Sequence, residues 1–421
     1  MVDVDIAYTE SSSWDEERMR ERFRWLRAND PVYWSEKDQL WVLSRHDDVQ
    51  YVSKHQERFT SGQGVRPMTP TKIGLIDEAE PRHGQLRALI NKGFTPRMVR
   101  KLEETFARLT TRAIDAVAQK SECDFVESIS VPLPLWLIAS MIGIHEDDWD
   151  RFHGWSDAMI AAEGNMNDPA VLGRAGQAYA EYATYASKVI EDRRKNPRDD
   201  LISILAGAKD AGLLEEYPEE ETNAAMQAAG MDAADSVPRD ELIKLCVILL
   251  VAGNETTRNA ISGGMQQLIE NPEQRKKLLD DPSLLNSAVE EMIRVVSPVH
   301  SFSRTVLEDT ELGGKQIRRG QKVLMIYGSA NRDEEFYGPD ADAFKIDRGA
   351  SHLGFGIGSH FCLGANLARM EMRVVFSELM RRLPDMQYAG DGPLLRPSAL
   401  VRTCSEMRVR YTPERSVADA A

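Results

Sequence analysis

The 421-residue chain is short of cysteine, of positive charge and of long apolar runs. Its four cysteines, Cys123, Cys246, Cys362 and Cys404, follow no CxxC or regular spacing. That argues against a disulfide framework or a zinc finger, so each cysteine has to be weighed singly. Lys and Arg number 52 against 67 Asp and Glu, a formal charge of −15. Such a balance repels phosphate backbones and anionic lipid, so no nucleic acid is expected as a principal partner. The longest apolar stretches, 131–144 (broken by Pro132 and Pro134) and 245–253, fall short of the roughly 18–20 residues that cross a bilayer. The N-terminal Met1-Val-Asp-Val-Asp lacks the basic and apolar segments of a signal peptide. The expectation is a soluble, cytoplasmic protein with no integral membrane segment.

What is present is helical periodicity. Segments 17–28, 81–93, 96–120, 133–142, 173–195, 238–270, 283–296 and 365–382 carry apolar residues at three- and four-residue intervals. Strand-like segments are short: 31–34, 40–43, 310–317, 322–327 and 407–411. This predicts a mostly α fold with a small β-rich lobe, built from about 31–60, 305–330 and 395–412, in one domain over 1–421. Residues 209–237, rich in Glu and Ala, read as a surface insertion. The early tryptophans Trp14, Trp25, Trp34 and Trp41 have no interleaved basic run and are expected in the core.

The longest helix is predicted to open at Pro238, with Ser236 as its N-cap, and to stop at Asn271-Pro272. Its first half is apolar nearly all round and should be buried. Gly253-Asn-Glu-Thr-Thr257 then breaks the pattern with a glycine, an acid and two hydroxyls.

Near the C-terminus lies Phe355-Gly-Ile-Gly-Ser-His-Phe-Cys-Leu-Gly364, a loop whose glycines let a backbone approach something closely. Leu363, Leu367, Met370 and Val374 follow at helical spacing, which places Cys362 at a helix N-terminus, where a thiolate is favoured. Such a thiolate suits a soft metal or haem iron. An inert buried cysteine beside a glycine turn is the plainer alternative, and the density of glycines argues against it.

These residues resemble the cytochrome P450 haem-thiolate monooxygenases. The family's cysteine loop, F-x-x-G-x-x-x-C-x-G, is matched at Phe355, Gly358, Cys362 and Gly364. Glu291-Met-Ile-Arg294 supplies E-x-x-R, Ala252-Gly-Asn-Glu-Thr256 supplies A-G-x-[DE]-T, and His83-Gly-Gln-Leu-Arg87 supplies H-x-x-x-R. Phe344-Lys-Ile-Asp-Arg348 resembles the arginine-bearing meander, with Ile346 where a proline is common. The resemblance implies the P450 fold, heme b on Cys362, and His83, Arg87, Arg304 and His360 beside the haem propionates. It makes Phe355 and Gly364 part of the cofactor cradle and turns Glu291, Arg294 and Arg348 into a structural triad. Spacing alone leaves Glu290 as a competitor of Glu291 for Arg294.

The resemblance also implies that Glu255 and Thr256 form the acid–alcohol pair that delivers protons during O2 activation. The residue-level alternative is a threonine back-bonded to its own helix beside a surface-paired glutamate; Gly253, read as room for a diatomic ligand, favours the first. Four-residue spacing from Thr256 directs Ile248 and Ala252 to the haem, with Val251 adjacent. Resemblance adds Val299, His300, Phe302, Leu400 and Val401 to an apolar substrate pocket, His300 being either a hydrogen-bonding or a packed histidine. The stretch 251–259 resembles bacterial steroid hydroxylases, so a steroid or terpenoid is the expected hydrophobic small-molecule substrate. No G-x-G-x-x-G follows a strand and opens a helix. Electrons are therefore expected from a ferredoxin and an NAD(P)H-dependent ferredoxin reductase, docking on a basic patch of Arg369 and Arg373 with Arg97, Arg100 and Lys101. A peroxide-driven peroxygenase and a non-catalytic haem-binding or gas-sensing protein are the alternatives.

Overall fold

Capping and amphipathic spacing set the helices. In the computed structural model, which describes residues 2–67, 74–91, 96–162, 165, 168–198, 200–210 and 241–414, helix Glu16–Asn29 starts where Asp15 accepts the amide of Arg18. It buries Met19, Phe23 and Leu26 at three- and four-residue spacing. Helix Pro169–Lys195 opens with Pro at its first position, and Asp168 accepts the amides of Ala170 and Val171. Helices Arg82–Asn91, Pro96–Ala118, Pro132–Met141, Leu285–Val296 and Ala365–Arg382 fall within a few residues of their predicted spans. Helices His46–Lys54, Trp149–Ala161, Leu201–Asp210 and Pro272–Asp280 were not expected.

The long helix runs unbroken from Glu241 to Glu270, 30 residues, or about 45 Å at ~1.5 Å per residue. The change of pattern at 253–257 leaves the helix intact, as the single predicted span requires. Its predicted start and Ser236 cap lie outside the described residues, as does nearly all of 209–237; residues 209 and 210 end helix Leu201–Asp210. About three helical turns of backbone bonds before it and about five after it outweigh the roughly 1 kcal/mol that one glycine costs. Gly253 answers instead to packing: a Cβ there would meet Ile138 Cδ1 at 2.5 Å. It lets helix Pro132–Met141 approach the long helix and does not mark space for a diatomic ligand.

The main sheet has five strands in the order Val32–Ser35, Leu40–Leu43, Lys322–Ile326, Ser301–Val306 and Phe59–Thr60. Leu40–Leu43 and Lys322–Ile326 pair in parallel and the others antiparallel. The C-terminal strands stay out of it. Leu394–Arg396 pairs with Thr403–Glu406, while Arg408–Arg410 sits between Glu122–Asp124 and Gln387–Tyr388. The segment 310–317 is a hairpin of two strands and not one strand. Of the four tryptophans only Trp14 is buried; Trp34 and Trp41 are half-buried, with their indole N–H groups on Glu36 and Gln321. No helix among the described residues is long and apolar enough to cross a membrane.

Helix Leu285–Val296 is tied to the segment before the cysteine loop by Arg294, which is wholly buried. Its guanidinium forks onto Glu291 at 2.7 and 2.8 Å and donates to the carbonyls of Asn331, Ala341 and Ala343. Arg348 Nε reaches Glu291 Oε1 at 3.1 Å. Glu290, the competitor for Arg294, faces elsewhere and holds Arg369 and His352. Ile346 occupies its unusual place for a reason: its amide donates to Gln274 Oε1 at 3.1 Å, a bond that proline could not make.

Gly253→Ala gains helix propensity of about 1 kcal/mol but crowds Ile138, and overpacking costs about 1–3 kcal/mol. The urea midpoint is expected to fall, and adding Ile138→Ala should destabilise by less than the sum of the two single changes. A raised midpoint for Gly253→Ala alone would refute the packing argument.

Candidate active site

Cys362 lies two residues before Gly364, which caps helix Ala365–Arg382. Its amide donates to Phe355 O at 2.8 Å, closing the loop on itself. The turn depends on Gly358, whose φ of +81° excludes most side chains and whose Cβ would lie 2.5 Å from Ser53 O. At Gly364 the backbone makes no such demand: a Cβ would lie in ordinary contact with the Cys362 sulfur, at 4.0 Å. The Phe355 ring lies against Phe361, and the Arg369 guanidinium sits 4.6 Å from its centroid. Burial pushes the Cys362 thiol up; the Gly364 amide, Arg87 and Arg369 pull the other way without overcoming it. The helix terminus does not by itself make the thiolate expected from the sequence, and a bound cation would.

Four basic or hydrogen-bonding groups gather beside this sulfur. The rings of His83 and His360 stack with centroids 3.9 Å apart. His360 Nε2 pairs with Ser61 Oγ at 3.0 Å, and His83 Nδ1 with Glu80 at 2.8 Å. Arg87 donates to Phe361 O and Arg304 to Ser303 O. Among the described residues neither arginine forms an ion pair with a carboxylate. Burial depresses Arg87 and Arg304, and it pushes His360 down to about 2, with Arg304, His83 and Arg87 adding to the shift. A cluster of cations held at such a cost fits a cofactor that brings two carboxylates. The donor set therefore fits haem: one thiolate for the iron, and Arg87, Arg304, His83 and His360 for the propionates.

On the long helix, Ile248 is buried while Ala252 is exposed and Thr256 partly so, although the residues around them are largely buried. A core helix that exposes one stripe at four-residue spacing borders an open chamber. Thr256 Oγ1 donates to Ala252 O at 2.8 Å, the back-bonded geometry. Glu255 is not a surface residue: it is 1% exposed and ion-paired to Arg258 at 2.6 Å. Its Oε2 has no hydrogen-bond partner among the described residues. Burial, then Asp157, pushes its carboxyl up to about 7, while Arg258 opposes them. Arg258 in turn pairs with Asp157 at 2.7 Å, and Asn254 Nδ2 donates to Ser156 Oγ at 3.1 Å. Both contacts tie the acid's turn of helix to helix Trp149–Ala161. The sequence reading missed Arg258, although its spacing of three from Glu255 was visible; Asp157 offered no such signal.

The remaining pocket candidates divide. Val299 forms a bridge with Val401, and the amide of His300 donates to Leu400 O at 2.8 Å, so these segments meet. The Phe302 ring lies against Tyr327. The His300 ring goes elsewhere: it stacks on Trp14 with centroids 4.9 Å apart, and burial pushes it down to about 4. It is the packed histidine. The basic patch is also altered, because Arg369 is held in a fork by Glu290 at 2.7 and 2.8 Å. Arg100 and Lys101 are exposed and Arg373 half-buried, while the Arg97 side chain lies outside the described residues.

Comparison with known proteins now identifies the class. The cytochrome P450 family model matches residues 167–384. A steroid C26-monooxygenase of Mycolicibacterium smegmatis is 36% identical over 400 residues, 94% of each chain. Among solved structures, CYP109E1 from Bacillus megaterium in complex with testosterone superposes with a TM-score of 0.80 at 33% identity, covering 93% of this chain and 97% of its own. Mycobacterium marinum CYP268A2 in complex with pseudoionone gives 0.83 at 32% identity, covering 96% and 98%. The chain belongs to the cytochrome P450 family, and it is a haem-dependent monooxygenase.

Arg304→Met removes a buried cation that has no carboxylate partner, so the loss should fall on cofactor retention. At roughly 1.5–3 kcal/mol for a charge-assisted bond, haem transfer to apomyoglobin is expected to quicken about tenfold or more. An unchanged transfer rate would remove Arg304 from the cofactor site.

Proposed function

We propose that the protein hydroxylates an apolar, steroid-like molecule, using O2 and two electrons from a ferredoxin and its NAD(P)H-dependent reductase. The observation that carries the proposal is the buried Glu255 beside Thr256 at the edge of the open stripe. Haem, when bound through a thiolate, supplies the oxygen chemistry; this chain's residues supply protons, orientation and exclusion of water. The Thr256 hydroxyl donates to its own helix, so what it offers the chamber is its acceptor lone pairs, which can hold an ordered water. Glu255, pushed up to about 7, is part protonated near neutral pH and can take and give a proton at Oε2. Arg258, one turn along the same helix, holds that carboxyl, and Asp157 of helix Trp149–Ala161 anchors Arg258 in turn.

The apolar lining offered by Ile248, Val251, Ala252, Val299, Phe302, Leu400 and Val401 supports a hydrophobic substrate. The steroid C26-monooxygenase relative and the testosterone complex support a steroid over a fatty acid. Arg373 and Arg100 lie on helices packed against each other, which supports docking of an acidic ferredoxin there even though Arg369 is engaged by Glu290. A low- to high-spin Soret shift on adding steroids, followed by turnover with ferredoxin and reductase, tests the reading. Failure of any steroid to shift the spectrum, or faster turnover with peroxide, would overturn it.

Two further outcomes follow from the acid–alcohol pair. Thr256→Ala is expected to keep haem and substrate binding while diverting most NADH equivalents into peroxide; equal product per NADH would exclude that role. Arg258 lowers the pKa of Glu255, so Arg258→Gln must raise it. If protonated Glu255 supplies the proton, the fall in turnover above about pH 7 should move to higher pH in Arg258→Gln, and a limb that stays put or moves down would exclude the relay.

A further inference from the structure

A cavity of about 270 Å³ lies between the start of helix Glu16–Asn29, the end of helix Leu285–Val296 and the strand Leu394–Arg396 with its flanking residues. None of the residues around Cys362 lines it. Its walls are of two kinds. Trp14, Met19, Phe23, Val296 and Leu395 give it apolar sides. Arg332 and Arg402 line it as well, 8% and 4% exposed.

The charges of those two arginines are incompletely met. Arg402 Nε lies 3.2 Å from Glu16 and NH2 donates to Gln266, but NH1 has no hydrogen-bond partner among the described residues. Arg332 donates to the carbonyls of Gly328 and Val295. Its Nε makes no hydrogen bond; Asp342 Oδ1 lies 3.5 Å away, and the other oxygen of that carboxylate, Oδ2, is taken by Arg24. Glu16 is the acid of the inner wall, and Arg20 binds it too, at 2.6 Å. The cation excess shows in its carboxyl, held down at about 2 by Arg402 and Arg20 in spite of burial. His300 covers one side as a neutral ring, because burial, Arg402 and Arg332 push it down to about 4. Asp15, Glu17, Arg20 and Arg396 are exposed at the rim, where two charges of each sign cancel in solvent. Glu16 is thus the one carboxylate lining the interior against two guanidinium groups, and Asp342, behind Arg332 and outside the lining, is divided between Arg332 and Arg24.

We propose that this cavity is a second ligand site, which takes a small amphiphilic monocarboxylate with its carboxylate on Arg332 and Arg402 and its hydrocarbon tail against Trp14, Phe23 and Leu395. Inorganic phosphate suits the arginines but would leave the apolar walls facing water; a neutral alcohol suits the walls but leaves the cations unmet. At about 30 Å³ per water-sized unit the volume holds roughly nine such units, close to an eight-carbon carboxylate. The site backs onto the segments expected to line the substrate chamber: the His300 ring faces this cavity, while its amide donates to Leu400 O and its neighbour Val299 bridges Val401. The proposal does not depend on which substrate the haem side takes.

The test uses the holoprotein saturated with an azole that ligates the haem iron, so that the substrate chamber is already filled. Isothermal titration calorimetry with octanoate is expected to show one site, with octanol and inorganic phosphate at least tenfold weaker. Arg402→Gln should weaken octanoate about tenfold or more. Leu395→Trp, which fills the cavity and removes no polar contact, should abolish binding; it keeps the test decisive if Arg402→Gln does not fold. Equal binding of octanol and octanoate, unchanged binding in Leu395→Trp, or loss of the site when the azole is present would each overturn the proposal.

Discussion

Arg294 makes five hydrogen bonds with no part of its side chain in water, two to Glu291 and three to carbonyls of Asn331, Ala341 and Ala343. A buried cation of this kind is tolerated only when every donor is met, so the helix and the following segment are fixed together or not at all. From Asn331 the fixation passes on: its amide nitrogen donates to Ser297 Oγ, and its Oδ1 accepts the amide of Leu353, two residues before Phe355. The cysteine loop therefore inherits its position from a polar network on its proximal side. Glu290 adds a second tie through Arg369 and His352. One helix thus presents two adjacent acids to two different supports of the same loop.

That rigidity makes room for an electrostatic arrangement that is unfavourable in the protein alone. The thiol of Cys362 is pushed up by burial, Arg87 and Arg304 are pushed down by burial, and His360 is pushed down by burial and then by Arg304, His83 and Arg87. A sulfur that resists ionisation and cations without carboxylates are complementary faults. Haem answers both, since its iron favours the thiolate and its two carboxylates meet the cations. The cofactor completes the charge balance that the chain leaves open, so holding it and stabilising this end of the fold are the same process.

The helical plan and the cysteine loop could be read from the chain because their signals are local, apolar periodicity and a glycine pattern around one cysteine; spacing left Glu290 and Glu291 both open as partners of Arg294, and the structure pairs it with Glu291. What could not be read depended on partners distant in sequence. Gly253 looked like space for a ligand, and the structure shows it accommodating Ile138. Arg369 looked like part of a docking surface, and it is held by Glu290 from another helix. The segment 395–412 was expected in one β-rich lobe with 31–60 and 305–330, yet its strands pair with each other or with Glu122–Asp124 and Gln387–Tyr388. Four-residue spacing from Thr256 reaches the exposed Ala252 but also the buried Ile248, since a period fixes a helix side and not what covers it.

His300 shows where that kind of reasoning needs care. It sits between Val299, which bridges Val401, and Ser301, which opens a strand of the main sheet. Neighbouring residues in extended chain point to opposite sides, so a wall that offers Val299 to one side must offer residue 300 to the other. The ring goes accordingly to Trp14 and the cavity of Arg332 and Arg402. The same thin layer of chain thus has an apolar side and a cationic one. Any ligand that moves the 398–402 turn from one side also changes the surface presented on the other, with no intervening element to absorb the shift.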